Sequence, residues 1–123
     1  MNPRTVANLV GLHPDLVKLV EQTLIKYPDY FVVTEGLRTL ERQKELFKAG
    51  ATTTLQSRHL TGHAFDVAAL VNGEIRWDWP LYKRIADAIK SIAQQLDIGI
   101  QWGGDWKTFK DGPHFQLDPK RYP

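Results

Sequence analysis

Leu81, Ile85, Ile89, Ile92 and Leu96 recur at steps of four, four, three and four, a spacing that gathers them on one face of an α-helix. Pro80 stands at the start, where its missing N–H costs nothing. This helix predicts the largest apolar face of the chain, against which the other elements must pack. An earlier helix is read from His13, where Leu16, Val20 and Leu24 fall on one face behind Pro14 and Asp15 and the pattern stops near Pro28.

Between these two helices the period changes. "YFVVTEG" reads as a short buried strand, and "RTLERQKELFKAG" as a helix capped by Thr39 and ended by Gly50. Arg38 then falls at the strand-to-helix junction. The Thr-rich "ATTTLQSRHLTG" has no period and reads as a loop, followed by a strand "AFDVAAL" in which Phe65, Val67 and Ala69 alternate against Asp66 and Ala68. Asn72-Gly73 predicts a hairpin turn. "IGIQWGG" and "HFQLDP" predict two further strands around a polar loop. This order predicts a small α+β fold, an antiparallel sheet with flanking helices, and 123 residues fit a single domain over 1–123.

Composition narrows the chemistry. There is no cysteine, which excludes a disulfide framework, a thiolate metal site and a cysteine nucleophile, so any metal must sit on nitrogen and oxygen. A net charge of +2 without a dense Lys/Arg run is no nucleic-acid footprint. The N-terminus lacks the apolar run of a signal peptide or membrane span, so the chain is expected to begin its life in a cytoplasm without stable membrane association.

The segment "SRHLTGHAFD" raises a ligand question. His59 and His63 stand four apart, as in helix-borne zinc pairs, but Leu60 replaces the glutamate such a pair needs and Gly62 weakens a helix there. His59 with Asp66 is the better pair, because a carboxylate between Phe65 and Val67 is costly to bury unless a positive charge compensates it. Catalytic zinc takes a third protein ligand and leaves a position open. Of the remaining histidines, His13 opens a surface-looking helix, whereas His114 lies among aromatics and glycines in "WGGDWKTFKDGPHFQL" and is the choice. Asp111, three residues before His114, would be general base and acid, and Arg38 would supply a permanent charge for the oxyanion. His63 stays structural or substrate-facing. Ser57 caps the loop or contacts substrate, Trp102 and Trp106 are pocket wall and core or else binding platforms, with Trp102 the candidate contact, and Asp105 is a candidate to brace a ligand histidine.

Two motifs carry a resemblance. Ser57, His59, Gly62, Ala64 and Asp66 follow Ser-x-His-x-x-Gly-x-Ala-x-Asp, and Asp111 with His114 follow acidic-x-x-His. From about Phe31 to Leu117 the chain resembles the D-alanyl-D-alanine carboxypeptidase (VanY-like) family of zinc peptidases, whose fold is shared with lysostaphin-type enzymes and the hedgehog signalling domain. With its short length and "WGGDW" segment it is most similar to the bacteriophage L-alanyl-D-glutamate endopeptidases, endolysins that cut peptidoglycan stems between their first two residues. The resemblance implies Zn2+ on His59, Asp66 and His114, Asp111 as base and Arg38 as transition-state stabiliser. Two positions depart from the pattern: Glu35-Gly36 stands where Ser-Gly is usual, and many relatives have glutamate in place of Asp111.

The expectation is therefore a zinc metallopeptidase on peptidoglycan stem peptides, acting as a monomer. Its alternatives are a D-alanyl-D-alanine carboxypeptidase or dipeptidase and a non-catalytic zinc-stabilised wall-binding module. Retention of both Asp111 and Arg38 favours an enzyme. Such a protein would gather in the cytoplasm of the infected bacterium and reach the wall through holin-dependent access, its slight basic excess helping it meet an anionic wall.

Overall fold

Four helices and an antiparallel sheet of five strands make up the computed structural model, which describes residues 1–123. The helices are α1 (Pro3–Leu9), α2 (Pro14–Lys26), α3 (Leu40–Lys48) and α4 (Trp79–Leu96). The strands are β1 (Phe31–Glu35), β2 (Ala64–Val71), β3 (Glu74–Arg76), β4 (Ile100–Trp102) and β5 (His114–Leu117). The sheet order is β1-β2-β5-β4, with β3 pairing β2, and every pair is antiparallel. This is the α+β arrangement the periodicities predict.

Local chemistry sets the boundaries. The His13 ring accepts the Asp15 amide at 3.1 Å and opens α2, and Thr39 accepts the Arg42 amide at 3.1 Å and opens α3. Asn72 and Gly73, both at positive φ, turn β2 back into β3. The helix α1 is not among the sequence expectations. Its signal is the Asn2 side chain capping the Arg4 amide at 2.8 Å with proline in the first turn, a start without a long apolar run behind it.

Strand alternation sorts the sheet residues onto two faces. Phe65 lies opposite Phe115, and Phe115 opposite Trp102, so all three share the face covered by α2 and α4. There Phe65 and Phe115 stack with ring centroids 5.5 Å apart, over Leu16, Leu19, Ile85 and Ile89, all fully buried. Each such side chain contributes about 1.5–3 kcal/mol by leaving water. The other face carries Asp66 opposite His114, with Glu35 paired to Asp66 across a register shift in β1. Ala64 and Ala68 on that face are buried as well, so β2 is covered on both sides rather than half-exposed.

The open edge of β1 is closed by α1. Thr5 Oγ1 accepts from the Val33 amide and Asn8 Nδ2 donates to the Val33 carbonyl, each at 3.0 Å, leaving neither group for an intruding strand. The next residue but two, Gly36, runs so close to α1 that a Cβ there would stand 2.0 Å from the Asn8 carbonyl oxygen. Only glycine lets this segment pass, and its carbonyl is used in the site.

Candidate active site

Sheet register delivers the first two functional side chains. Asp66 and His114 are cross-strand partners, and His114 Nδ1 lies 3.1 Å from Asp66 Oδ1. The third comes from a 3₁₀ turn, Arg58–Thr61, which Ser57 opens by accepting the His59 amide at 3.1 Å. That turn sets His59 Nε2 3.1 Å from the same Asp66 oxygen.

The far side of each imidazole decides what the near side offers. His59 Nδ1 faces the Gly36 carbonyl at 2.8 Å, an atom that can only accept, so the proton sits on Nδ1 and the Nε2 lone pair points at Asp66. His114 Nε2 faces Gln116 Oε1 at 2.8 Å, and the Gln116 amide donates to Gln101 at 3.2 Å, which leaves the His114 Nδ1 lone pair toward Asp66. Two nitrogen lone pairs and a carboxylate oxygen thus converge, with their ligand atoms within 4.8 Å of one another. Such a set repels itself unless a cation or shared protons lie between. Two imidazoles and one carboxylate are a donor set that suits zinc, and both rings are braced by an oxygen acceptor as metal-ligating histidines are.

Charge follows the same geometry. Without a cation between them, burial would raise the Asp66 carboxyl, but hydrogen bonds from His114 and His59 in their protonated forms, and the charges those forms carry, outweigh it and hold the group below the usual carboxylate range. Burial would lower His114, and Asp66, Gln116 and Asp111 reverse this and raise it. Asp111 is pushed up by burial and by the Asp66 charge, against the opposing pull of His114, His59 and Arg38. A carboxylate raised in this way is a better proton acceptor than one in bulk water.

Asp111 is placed by its backbone. Its amide donates to the Gly103 carbonyl at 3.0 Å and its own carbonyl accepts the His114 amide at 3.2 Å. A Cβ on Gly103 would lie 2.3 Å from the Asp111 carbonyl oxygen, so glycine in "WGG" is what allows this loop to close over β4.

Arg38 is held on three sides. Its Nε pairs with Glu35, Nη1 donates to Gln43 Oε1 at 2.8 Å, and Nη2 stands 3.7 Å from Asp66 Oδ2. Gln43, fully buried in α3, also donates to the Thr54 carbonyl at 2.7 Å and ties the following loop to the arginine. The Arg38 amide donates to the His59 carbonyl at 2.9 Å, so ligand and arginine segments brace each other.

Arg38, Ser57, His59, Asp66, Asp111 and His114 line one polar cavity of about 820 Å³. The sequence reading brings these six together. Trp102 is a correction: its pairing with Phe115 turns it to the core face, it is 3% exposed, and its Nε1 donates to the Gly112 carbonyl at 2.7 Å. It supports the Asp111 turn from beneath and cannot touch a substrate in the cavity. The aromatic residues lining the cavity are Phe109 and Trp106, the latter 5.2 Å from the His114 ring. Asp105 braces no histidine but pairs with Lys90 of α4; the bracing acceptors are Gly36 and Gln116. His63 lies outside the cavity, its Nδ1 2.7 Å from Thr61 Oγ1 and its ring 5.5 Å from His13.

Residues 1–117 match the model of the phage L-alanyl-D-glutamate peptidase family. The chain belongs to this family. Among phage L-alanyl-D-glutamate peptidase relatives, that of Listeria phage A118 is 36% identical over 97% of this chain and 42% of its own length. The peptidoglycan L-alanyl-D-glutamate endopeptidase CwlK of Bacillus subtilis is 35% identical over 72% of this chain and 60% of its own. The chain therefore spans about half the length of these two relatives. The solved structure of the Serratia marcescens L-Ala D-Glu endopeptidase ChiX superposes with a TM-score of 0.93 at 48% identity, covering 100% of this chain and 92% of that one. The zinc-bound D,D-pentapeptidase VanY, at 16% identity and a TM-score of 0.57 over 86% of this chain and 72% of its own, shares the fold. The match to the family model begins well before Phe31 and so takes in α1 and α2.

Proposed function

We propose that the chain is a zinc-dependent peptidoglycan endopeptidase that hydrolyses the bond between L-alanine and D-glutamate of the stem peptide. The observation that carries this reading is the convergence of the His59 and His114 lone pairs on Asp66, with Asp111 and Arg38 in the same cavity. Membership of the family and the names of its relatives supply the bond.

Zinc held by His59, Asp66 and His114 would polarise the scissile carbonyl and lower the pKa of water. Asp111 takes a proton from the attacking water and passes it to the leaving D-glutamate nitrogen as the C–N bond breaks. Arg38, its orientation fixed by Glu35 and Gln43, offers Nη2 to the charge that develops on the carbonyl oxygen. Ser57, whose hydroxyl already caps the 3₁₀ turn, and Trp106 are the proposed substrate contacts. The wall is the site of action, reached from the cytoplasm of the infected cell after a holin opens the membrane, and the enzyme acts as a monomer. No helix is long and apolar enough to cross a membrane.

Digestion of purified sacculi tests the reading. New amino-terminal D-glutamate is the expected product, detected by labelling and mass spectrometry. Release of free D-alanine would replace it with a carboxypeptidase, and zinc binding without any cleavage with a binding module.

A further inference from the structure

The cavity contains three cationic side chains besides its histidines, and two are committed. Arg38 is held by Glu35, Gln43 and Asp66 and is assigned to the scissile carbonyl oxygen. Arg58 donates to the Tyr122 carbonyl at 2.6 Å and to the Leu117 carbonyl at 3.4 Å, anchoring the end of the chain. Lys110 forms no ion pair; its ammonium reaches only the Gly104 carbonyl, at 3.5 Å. It stands next to Asp111 on the loop that follows Trp106, which is also where the backbone is strained. Phe109 has φ 51°, a conformation a bulky side chain rarely adopts, and the residue, which lines the cavity, is 76% exposed. In extended chain, neighbouring side chains point to opposite sides. The left-handed residue lets both Phe109 and Lys110 line the cavity.

The chemistry of the substrate says what such a lysine would meet. In a stem peptide D-glutamate continues through its γ-carboxyl, so its α-carboxylate stays free unless amidated. That carboxylate is bonded to the same carbon as the nitrogen that leaves. A group recognising it must therefore lie beside the residue that protonates that nitrogen, which is Asp111.

We infer that Lys110 reads the free α-carboxylate of the residue following the scissile bond, making the enzyme selective for D-glutamate over D-isoglutamine stems. The inference rests on the proposed cleavage site and adds a specificity residue to it. Phe109, exposed on the same turn, flanks this subsite. A charge-assisted pair at such a position discriminates by about tenfold.

The test compares kcat/KM on two muropeptides that differ only in the α-carboxylate or α-carboxamide of the second residue. Wild type should favour the acid about tenfold, Lys110→Met should bring the ratio to about one, and Lys110→Arg should keep most of it. Lys107→Met, an exposed neighbour outside the cavity, should leave the ratio as in wild type and so separates local recognition from overall charge. Zinc content and thermal melting of each variant check that it is folded. A wild-type ratio near one, or a ratio that survives Lys110→Met, overturns the role of Lys110 while leaving the cleavage site standing. Failure to cut this bond in either muropeptide removes the underlying reading and the inference with it.

Discussion

His114 and Asp66 sit directly opposite each other on β5 and β2, with Nδ1 3.1 Å from Oδ1, so the pairing register of two strands sets the proposed ligand pair. Register shifts move whole faces. A one-residue slip of β5 would turn His114 into the aromatic core and Phe115 out of it, so the Phe65–Phe115 stack on the opposite face holds the register of the proposed ligand pair.

Asp111→Ala is expected to lower kcat by about 10²- to 10⁴-fold, the range for removing a general base. Desolvation and the Asp66 charge raise the Asp111 carboxyl in the metal-free protein, so there its titration, followed by NMR, should lie above the range of a free aspartate, and a titration at or below that range would contradict this environment. Bound zinc would pull the same group the other way, because a nearby cation favours the carboxylate.

Gly103→Ala tests the loop that carries the base. The added Cβ would meet the Asp111 carbonyl oxygen at 2.3 Å and must push the turn outward. Overpacking of this kind costs about 1–3 kcal/mol. Denaturant melts should show that loss, and turnover should drop while zinc content holds; wild-type turnover would show that the turn does not position Asp111.

Much of this was legible beforehand, and the limits have physical causes. The α2 and α4 periodicities and the boundaries at Thr39 and Asn72-Gly73 depend on local chemistry, which a sequence displays. The proposed functional set of His59, Asp66, Asp111, His114 and Arg38, which line one cavity, follows from residue types and spacing together with the family resemblance. The supporting atoms do not. The Gly36 carbonyl meets His59 across 23 residues, and Gln43, though only five residues from Arg38, meets it through the turn into α3. Gln116 is different: it stands two residues after His114 on one strand face, so the alternation in "HFQL" already pointed to it. Trp102 was misplaced because the side of the sheet it faces depends on its pairing with Phe115.

Gln43→Ala separates positioning from structure. It strips Arg38 of the Nη1 partner and leaves the Thr54 carbonyl without its donor, a cost of about 1–3 kcal/mol. We expect lower kcat with KM little changed and zinc retained. Gln43→Glu, which restores an acceptor for Arg38, should recover part of kcat without recovering the bond to Thr54; equal losses in both variants would make Gln43 structural only.

Trp102→Phe keeps most of the ring in the core and deletes the bond to Gly112. Thermal unfolding should report a loss of about 1 kcal/mol. Substrate KM should stay near wild type, because the ring does not line the cavity. A large rise in KM at unchanged stability would return Trp102 to the substrate.

The most direct test is zinc stoichiometry of purified wild type, Asp66→Ala, Asp111→Ala and His63→Ala by elemental analysis. One zinc per chain in wild type, Asp111→Ala and His63→Ala, with none in Asp66→Ala, is the predicted result. Zinc kept by Asp66→Ala, or lost from His63→Ala, would contradict a metal centre built on the Asp66–His114 register.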